Sequence, residues 1–103
     1  MRYTVELTAL ASADYTEIGR YIAQELSAPQ AAQKLAALIK AELAKLGQNP
    51  FAYPKVRDDR LAALGYRLMM IKHYVVFFVI NDASKTVVIE RILYGRRDWL
   101  HIL

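Results

Sequence analysis

Apolar and polar positions alternate in blocks along the second half of the chain. Three runs dominated by Val, Ile, Phe and Tyr, at residues 66–71, 74–80 and 86–94, are separated by short polar segments. β-branched and aromatic residues favour strands, whereas polar residues gather in turns. The pattern therefore predicts a three-stranded antiparallel meander. Asn81 and Asp82 support its second turn, because both tolerate positive φ and can hydrogen-bond to their own backbone.

The first half of the chain combines one short alternating segment with two helical ones. Residues 2–7 alternate between apolar and polar side chains, which predicts a strand that joins the sheet of the meander. Apolar residues then recur at helical spacing, which predicts an amphipathic helix of about four turns beginning near Thr8 or Ser12. A second apolar helical stripe ends near Gly47. Since the link between the two helices is very short, we expect an antiparallel hairpin lying on the sheet.

Local signals refine these boundaries. Ser27 followed by Gln30 fits a capping box at the start of the second helix. Gly19 either weakens the first helix slightly or allows another backbone to approach closely. Residues 51–64 contain prolines and mixed charges, which favours an ordered loop over a regular element. After Gly95 we expect a short tail with a helical turn.

Length and composition indicate one α+β domain spanning residues 1–103. The chain has 55% hydrophobic and 23% charged residues, enough apolar surface to build a core. It contains no cysteine, so disulfides and thiolate metal sites are excluded, and a reducing cytoplasmic setting fits. No apolar run approaches the roughly 20 residues of a membrane span. The spacing of Asp, Glu and His indicates no metal site, and we expect no cofactor and no membrane partner.

The positive charge lies in the second half of the chain. Residues 1–52 contain five basic and five acidic residues, whereas residues 53–103 contain nine basic and five acidic ones, which accounts for the whole net charge of +4. A basic half favours an acidic partner, either a nucleic acid or an acidic protein segment. Ordinary charge for solubility is the alternative interpretation.

Together, these elements resemble the RelE/ParE family of bacterial toxins. The order is strand, helix hairpin, loop, meander and tail, in about the length typical of one small domain. The resemblance rests on the following residues: Asp14 and Ile18 with Tyr21-Ile22, Pro29 with Ala31-Ala32, Asn49-Pro50, Pro54, Gly65-Tyr66-Arg67, the run from Tyr74 to Phe78, and the closing run from Val88 to Asp98. It covers nearly the whole chain.

The resemblance implies the toxin of a type II toxin–antitoxin module. A cognate antitoxin would wrap and neutralise it, and a toxin–antitoxin hetero-oligomer is an expected assembly. ParE-like members poison DNA gyrase, whereas RelE-like members cleave messenger RNA on the ribosome. A third reading is a non-toxic binding module of the same fold.

The cleaving members use basic residues on the central strands and a tyrosine in the C-terminal segment. By resemblance, Arg67 falls beside one of these basic positions, but Met69 and Val75 occupy two others. Two expected cations are therefore missing, which favours the ParE side and a toxin that is not itself an enzyme. If the chain does cleave RNA, the candidate catalytic residues are Arg67, Tyr94 and Arg96.

The candidate residues for binding antitoxin or target are basic, with one aromatic: Arg67, Arg91, Arg96, Arg97 and Trp99. For Arg91, which lies between Glu90 and Ile92, the favoured alternative is a cross-strand ion pair. His73 has the chemistry of a general base, but a simple turn residue is the favoured interpretation.

Overall fold

The computed structural model describes residues 2–95 and 97–103. The elements, in chain order, are β1 (Thr4–Leu7), α1 (Ala9–Arg20), a π-helical turn (Tyr21–Glu25), α2 (Pro29–Gln48), a 3₁₀ turn (Pro50–Ala52), α3 (Asp59–Ala63), β2 (Arg67–Ile71), β3 (Tyr74–Asn81), β4 (Thr86–Tyr94) and α4 (Trp99–Ile102). The predicted α+β architecture and the helical turn in the tail are confirmed. Among the described residues, no helix is long and apolar enough to cross a membrane.

The four strands form one mixed sheet in the order β1-β4-β3-β2. Strands β2, β3 and β4 pair antiparallel, so the predicted meander is confirmed. β1 pairs parallel with β4, with Val5 opposite Val87. The predicted N-terminal strand therefore joins the sheet at the edge beside the last strand of the chain. Parallel neighbours need a crossover connection, and here the helices and the meander lie between them.

The turns of the meander use positive φ at lysines. The φ angles are 55° at Lys72 and 53° at Lys85, so in the predicted second turn the residue with positive φ is Lys85 and neither Asn81 nor Asp82. Lysine can occupy this region at a modest cost because it is not β-branched. The predicted side-chain hydrogen bond is confirmed, since the Asn81 side-chain oxygen accepts from the Ser84 backbone N–H at 3.1 Å.

The first long helix begins at a predicted signal, whereas the cap of the second lies one residue after the predicted one. Thr8 caps α1 by accepting from the Ala11 N–H at 3.0 Å, as one of the two predicted starts requires. The cap of α2 is Ala28, which has no side-chain hydrogen bond, so the predicted Ser27 capping box is wrong. The reason is the link between the helices, where Ser27 adopts a φ of 50° to reverse the chain. An N-cap residue normally has an extended backbone.

The expectation of a loop over residues 51–64 is also wrong in part. This stretch contains the end of the 3₁₀ turn and the short helix α3. Asp58 caps α3 by accepting from the Leu61 N–H at 3.4 Å, and Gly65, with a φ of 88°, follows its end. These residues are the usual signals for a helix start and stop, but the nearby prolines favoured a loop.

The sheet is covered on both faces. Four consecutive residues of β3, from Val75 to Phe78, are buried. The helix hairpin covers one face and buries Val76 and Phe78 with residues such as Ile39. Residues 56–66 and the C-terminal tail cover the opposite face and bury Val75 and Phe77. A register shift in the β3–β4 pairing, where Phe77 faces Arg91 and Phe78 faces Ile89, leaves Glu90 as the extra residue of a β-bulge.

The end of α2 packs directly against the start of β1. The Tyr3 N–H donates to the Gly47 carbonyl at 2.7 Å. A Cβ atom at Gly47 would lie 2.9 Å from the Tyr3 carbonyl oxygen and 3.1 Å from the Val5 Cγ2 atom. A Cβ atom at Gly19, in contrast, would meet no heavy atom within 4 Å. Gly47 therefore permits close packing, whereas Gly19 does not have that role.

Asp14 completes the edge of the sheet where β1 ends. Thr8 continues the pairing by donating to the Ile89 carbonyl at 3.0 Å. One turn further on, an Asp14 carboxylate oxygen accepts from the Ile92 N–H at 2.9 Å. The same carboxylate accepts from the Nε and Nη2 atoms of Arg91 at 2.8 and 2.9 Å. The side chains of Arg91 and Asp14 are only 19% and 14% exposed, so helix α1 and strand β4 are joined by a largely buried, bidentate ion pair.

Replacement of the two helical glycines by alanine should have opposite effects on stability. Gly47→Ala should lower the free energy of unfolding by about 1–3 kcal/mol, because the new methyl group overlaps the backbone of β1. Gly19→Ala should raise it by about 0.5–1 kcal/mol, since alanine favours a helix and has open space here. Urea denaturation of both variants measures this difference. Equal effects of the two substitutions would contradict the packing of α2 against β1.

Asp14→Ala should destabilise the protein by about 2–4 kcal/mol, because it leaves a partly buried guanidinium and a strand N–H without their acceptor. The matched control is Glu17→Ala on the same helix. Its ion pair with Arg20 is exposed, with side chains 61% and 41% accessible, so we expect no measurable change. Thermal and urea denaturation give the comparison. A loss at Asp14 no larger than that at Glu17 would rule out the proposed role of this carboxylate.

Candidate binding groove

A groove of about 790 Å³ lies between the helix hairpin and one end of the sheet. The residues that line it are Asp14, Glu17, Ile18, Tyr21, Ile22, Leu26, Ala28, Ala31, Leu35, Lys72, His73, Tyr74, Ile92, Leu93, Tyr94 and Arg97. The groove is therefore bounded by α1, the π-helical turn and α2 on one side. The β2–β3 turn and the end of β4 form the other side.

The surface of the groove is mainly apolar and includes large exposed side chains. Tyr21, Leu26 and Tyr94 are 49%, 56% and 40% exposed, and Ile22 and Leu35 line the same groove. A contiguous exposed apolar patch of this kind marks a site of interaction with another molecule. The chemistry of the groove suits a partner that presents apolar side chains.

The wall of the groove contains an irregular helical segment. Tyr21–Glu25 forms a π-helical turn, in which the Leu26 N–H donates to the Tyr21 carbonyl at 3.2 Å. Single π-helical turns are rare and occur frequently at functional sites. In this chain, the segment brings Tyr21, Ile22 and Leu26 to the same groove.

The charged residues at the groove differ between its two sides. On the helical side, Asp14 holds Arg91, and Glu17 binds Arg20 at 2.6 Å. On the other side lie Lys72, His73 and Arg97. Within residues 2–95 and 97–103, Lys72 and Arg97 form no ion pair within 4.0 Å. The two cations without an ion-pair partner in these ranges therefore lie on the sheet side of the groove, whereas the acidic residues on the helical side are paired.

Tyr74 and Tyr94 close the sheet end of the groove. Their rings make an edge-to-face contact with centroids 5.7 Å apart, a geometry that stabilises aromatic pairs. Burial, together with the nearby phenols of Tyr94 and Tyr21, raises the pKa of Tyr74. The Tyr74 phenol is therefore neutral at physiological pH and serves as an apolar surface with a hydrogen-bonding tip.

Two of the predicted site residues, Tyr94 and Arg97, lie in the groove. Arg91 contributes only indirectly, through the Asp14 side chain. The predicted cross-strand ion pair of Arg91 is wrong because its partner is on helix α1, which takes over the edge of β4 beyond β1. The hydrogen bonds to Asp14 raise the pKa of Arg91 further. Arg96 lies outside the described residues.

Arg67 and Trp99 lie elsewhere. The Arg67 Nη1 atom donates to the Tyr53 carbonyl at 2.6 Å, and its guanidinium is 5.2 Å from the centroid of the Phe51 ring. Trp99 packs on the opposite face of the sheet, with its ring centroid 5.1 Å from that of Phe77. Both residues stabilise the covering of the sheet, and their predicted contacts with antitoxin or target stay predictions.

The apolar residues at the two missing cation positions are part of the core. Met69 is 3% exposed and belongs to the cluster under the helices, and Val75 is 6% exposed and belongs to the cluster on the opposite face. Among the described residues, no three His, Asp or Glu side chains form a group that could hold a metal ion.

Sequence reasoning missed most of the groove. Helical periodicity identifies an apolar face of the first helix but not what covers it, so it did not show that Ile22 and Leu26 line a groove. Lys72 and His73 were predicted only as a turn.

The family comparison identifies the chain. Residues 5–99 match the model of a family described as the ParE toxin of the type II toxin–antitoxin system parDE. A comparison with curated protein sequences finds no match.

Solved structures support the fold. A chain of the chromosomal ParDE toxin–antitoxin system from P. aeruginosa has 20% identity and a TM-score of 0.73, with 90% of this chain and 96% of that chain covered. A chain of the RelBE2 toxin–antitoxin complex from Mycobacterium tuberculosis has 22% identity and a TM-score of 0.66, covering 91% and 99%.

A double mutant of the E. coli toxin RelE in the free state has 12% identity and a TM-score of 0.69, covering 99% of this chain and 93% of that chain. At these identities the similarity establishes the fold, and the family model, which spans most of the chain, establishes the family. The chain belongs to the ParE toxin family of type II toxin–antitoxin systems.

Proposed function

We propose that this toxin inhibits bacterial growth by acting on DNA gyrase, without cleaving RNA, and that a cognate antitoxin neutralises it by filling the groove. The observation that carries the choice of target is the state of the central strands. The residues that would have to supply cations to an RNA phosphate are either apolar and buried or already bound within the protein.

Cleavage of RNA by its own 2′-hydroxyl requires positive groups beside the crowded phosphate in the transition state. Met69 and Val75 stand where the cleaving relatives would carry two such groups, and both side chains are almost fully buried. Neither position offers a charge or access to a nucleotide. This supports a target other than messenger RNA.

The arginines on the described strands are bound within the protein. Arg67 is held by the Tyr53 carbonyl and the Phe51 ring, and Arg91 is held by both oxygens of Asp14. To contact a phosphate, either arginine would have to leave these partners, and Asp14 would then lose its main counterion. Tyr94 and Arg97 remain accessible, but they lie in an apolar groove, which suits a protein segment better than a phosphate chain.

The groove supports binding of an amphipathic segment of the antitoxin. Two of the solved toxins with this fold come from a ParDE system and a RelBE2 toxin–antitoxin complex. An apolar helix face lying in a hydrophobic groove is a recurrent mode of peptide recognition. A segment that is disordered before binding would gain the energy for folding by burying Tyr21, Leu26 and Tyr94.

Purified toxin should inhibit supercoiling by gyrase and trap gyrase–DNA complexes. When the toxin is induced without its antitoxin, mapped messenger RNA ends should show no new cleavage within codons. The double variant Arg67→Gln/Met69→Lys is compared with the wild-type toxin in the same assay of messenger RNA ends. It loses the Arg67 contact and gains a charge in the core, so we expect it to fold less well and to produce no new cleavage. New ends within translated codons, with gyrase unaffected, would make the toxin a ribonuclease and overturn the proposal.

Single substitutions in the groove should weaken antitoxin binding. Tyr21→Asp and Leu26→Asp each introduce a charge that the apolar contact would have to desolvate, so we expect the dissociation constant to rise by about 10- to 1,000-fold, as for a central interface residue. The matched control is Leu10→Asp, because Leu10 is on α1, is 60% exposed and does not line the groove.

Titration calorimetry with the purified antitoxin measures these affinities, and circular dichroism checks that the variants fold. Tyr21, Leu26 and Leu10 are 49%, 56% and 60% exposed, so we expect all three variants to fold. An equal affinity of the groove variants and the Leu10 control would exclude the groove as the antitoxin site.

A further inference from the structure

The two sides of the groove differ in the charge that they offer to a bound segment. On the helical side, the acidic residues have partners within the protein: Asp14 is paired with Arg91, and Arg20 is shared between Glu17 and Glu25. On the sheet side, Lys72 and Arg97 line the groove and have no ion-pair partner among the described residues. A segment lying in the groove therefore meets acidic residues that are already ion-paired along one flank and the two cations along the other.

We propose that Lys72 and Arg97 select the antitoxin by binding acidic side chains on the flank that faces the β2–β3 turn. This inference rests on the proposed function, in which the antitoxin fills the groove. It specifies the chemistry of the bound segment, which has an apolar face towards Ile22 and Leu35 and carboxylates towards the two cations. A segment with basic residues on that flank would be repelled, which provides specificity among competing partners.

The backbone segments that carry Lys72 and Arg97 are joined by a hydrogen bond. The Gly95 N–H donates to the His73 carbonyl at 2.8 Å, and the Arg97 N–H donates to the Tyr94 carbonyl at 3.0 Å. Gly95 permits this contact because a Cβ atom there would be 3.2 Å from the His73 oxygen. The backbones that carry Lys72 and Arg97 are thus joined before a partner binds, so little ordering of the backbone is required on binding.

The exposure of both cations determines what they contribute. Lys72 and Arg97 are exposed at the rim of an apolar surface. Charges at the rim of an interface act mainly on the association rate and on the choice of partner, while the desolvated apolar centre provides most of the affinity. The effect should therefore appear as a slower, less salt-dependent association when the cations are removed.

The test is a charge reversal, Lys72→Glu/Arg97→Glu, compared with a matched reversal on other surfaces, Lys40→Glu/Arg57→Glu. Lys40 and Arg57 are exposed and do not line the groove. Each double variant changes the formal net charge by four units, from +4 to zero, so long-range attraction is reduced equally in both. Only the groove variant alters the charge beside the bound segment.

Stopped-flow association with the full-length antitoxin of the same module, at several salt concentrations, provides the readout. For the groove variant we expect association to slow by about 10-fold or more at low salt and the salt dependence to diminish. For the control we expect a change of less than about threefold. Acidic residues of the antitoxin that bind these cations should restore association with the groove variant when replaced by lysine.

Each alternative outcome has a distinct meaning. If the groove variant associates like the control while Tyr21→Asp still weakens binding, the antitoxin occupies the groove but the cations do not select it, and this inference is wrong. If Tyr21→Asp has no effect, the proposed antitoxin site itself fails. If a short DNA duplex binds the wild-type toxin through Lys72 and Arg97 while antitoxin binding is unaffected, the cations serve a nucleic acid and the inference is overturned.

Discussion

The burial of β3 on both faces is the constraint on which the rest of the structure depends. Val75 and Phe77 point to one face and Val76 and Phe78 to the other, and all four are buried. A strand of this kind needs two apolar covers, and about a hundred residues provide few segments to form them. The helix hairpin supplies one cover. Residues 56–66 and the tail supply the other, which explains why a short helix and a C-terminal tryptophan occur in segments without strong periodicity.

The groove follows from the same arrangement, because the hairpin extends beyond the sheet that it covers. β1 ends at Leu7, opposite Ile89, whereas β4 continues to Tyr94. Beyond that point α1 lies beside β4, and Asp14 supplies the acceptor that a neighbouring strand would otherwise provide. The remaining apolar surface of the hairpin faces the β2–β3 turn without a strand between them. Because β1 is short, part of the edge of β4 extends beyond it. The Asp14 carboxylate binds this edge at Ile92, and the groove lies beside the residues that follow.

Much of this fold was predictable from the sequence, because the meander consists of runs of β-branched and aromatic residues separated by polar turns, and the helices have an apolar period of 3.6 residues. The predictions that were wrong concern residues for which the sequence offers a plausible local role but the fold requires a different one. Ser27 could have capped α2, but the chain reversal requires its positive φ. Arg91 has a neighbouring acid in Glu90, but its partner is 77 residues away in Asp14. Local patterns do not contain such long-range contacts. Tyr94 and Arg97 could be named as candidate binding residues from their residue type. The helical residues on the other side of the groove could not, because only a long-range contact brings them opposite Tyr94 and Arg97.

The packing restricts which side chains the central strands can carry. Met69 and Val75, at which the resemblance to the cleaving toxins leads us to expect cations, belong to the two opposite core clusters. A lysine or arginine at either position would bury a charge, which costs several kcal/mol unless a partner is present. A charged side chain at either position would therefore require the segments that cover that face of the sheet to open towards solvent. In this chain Met69 and Val75 are only 3% and 6% exposed, and this burial is the basis of our proposal that the target is not messenger RNA.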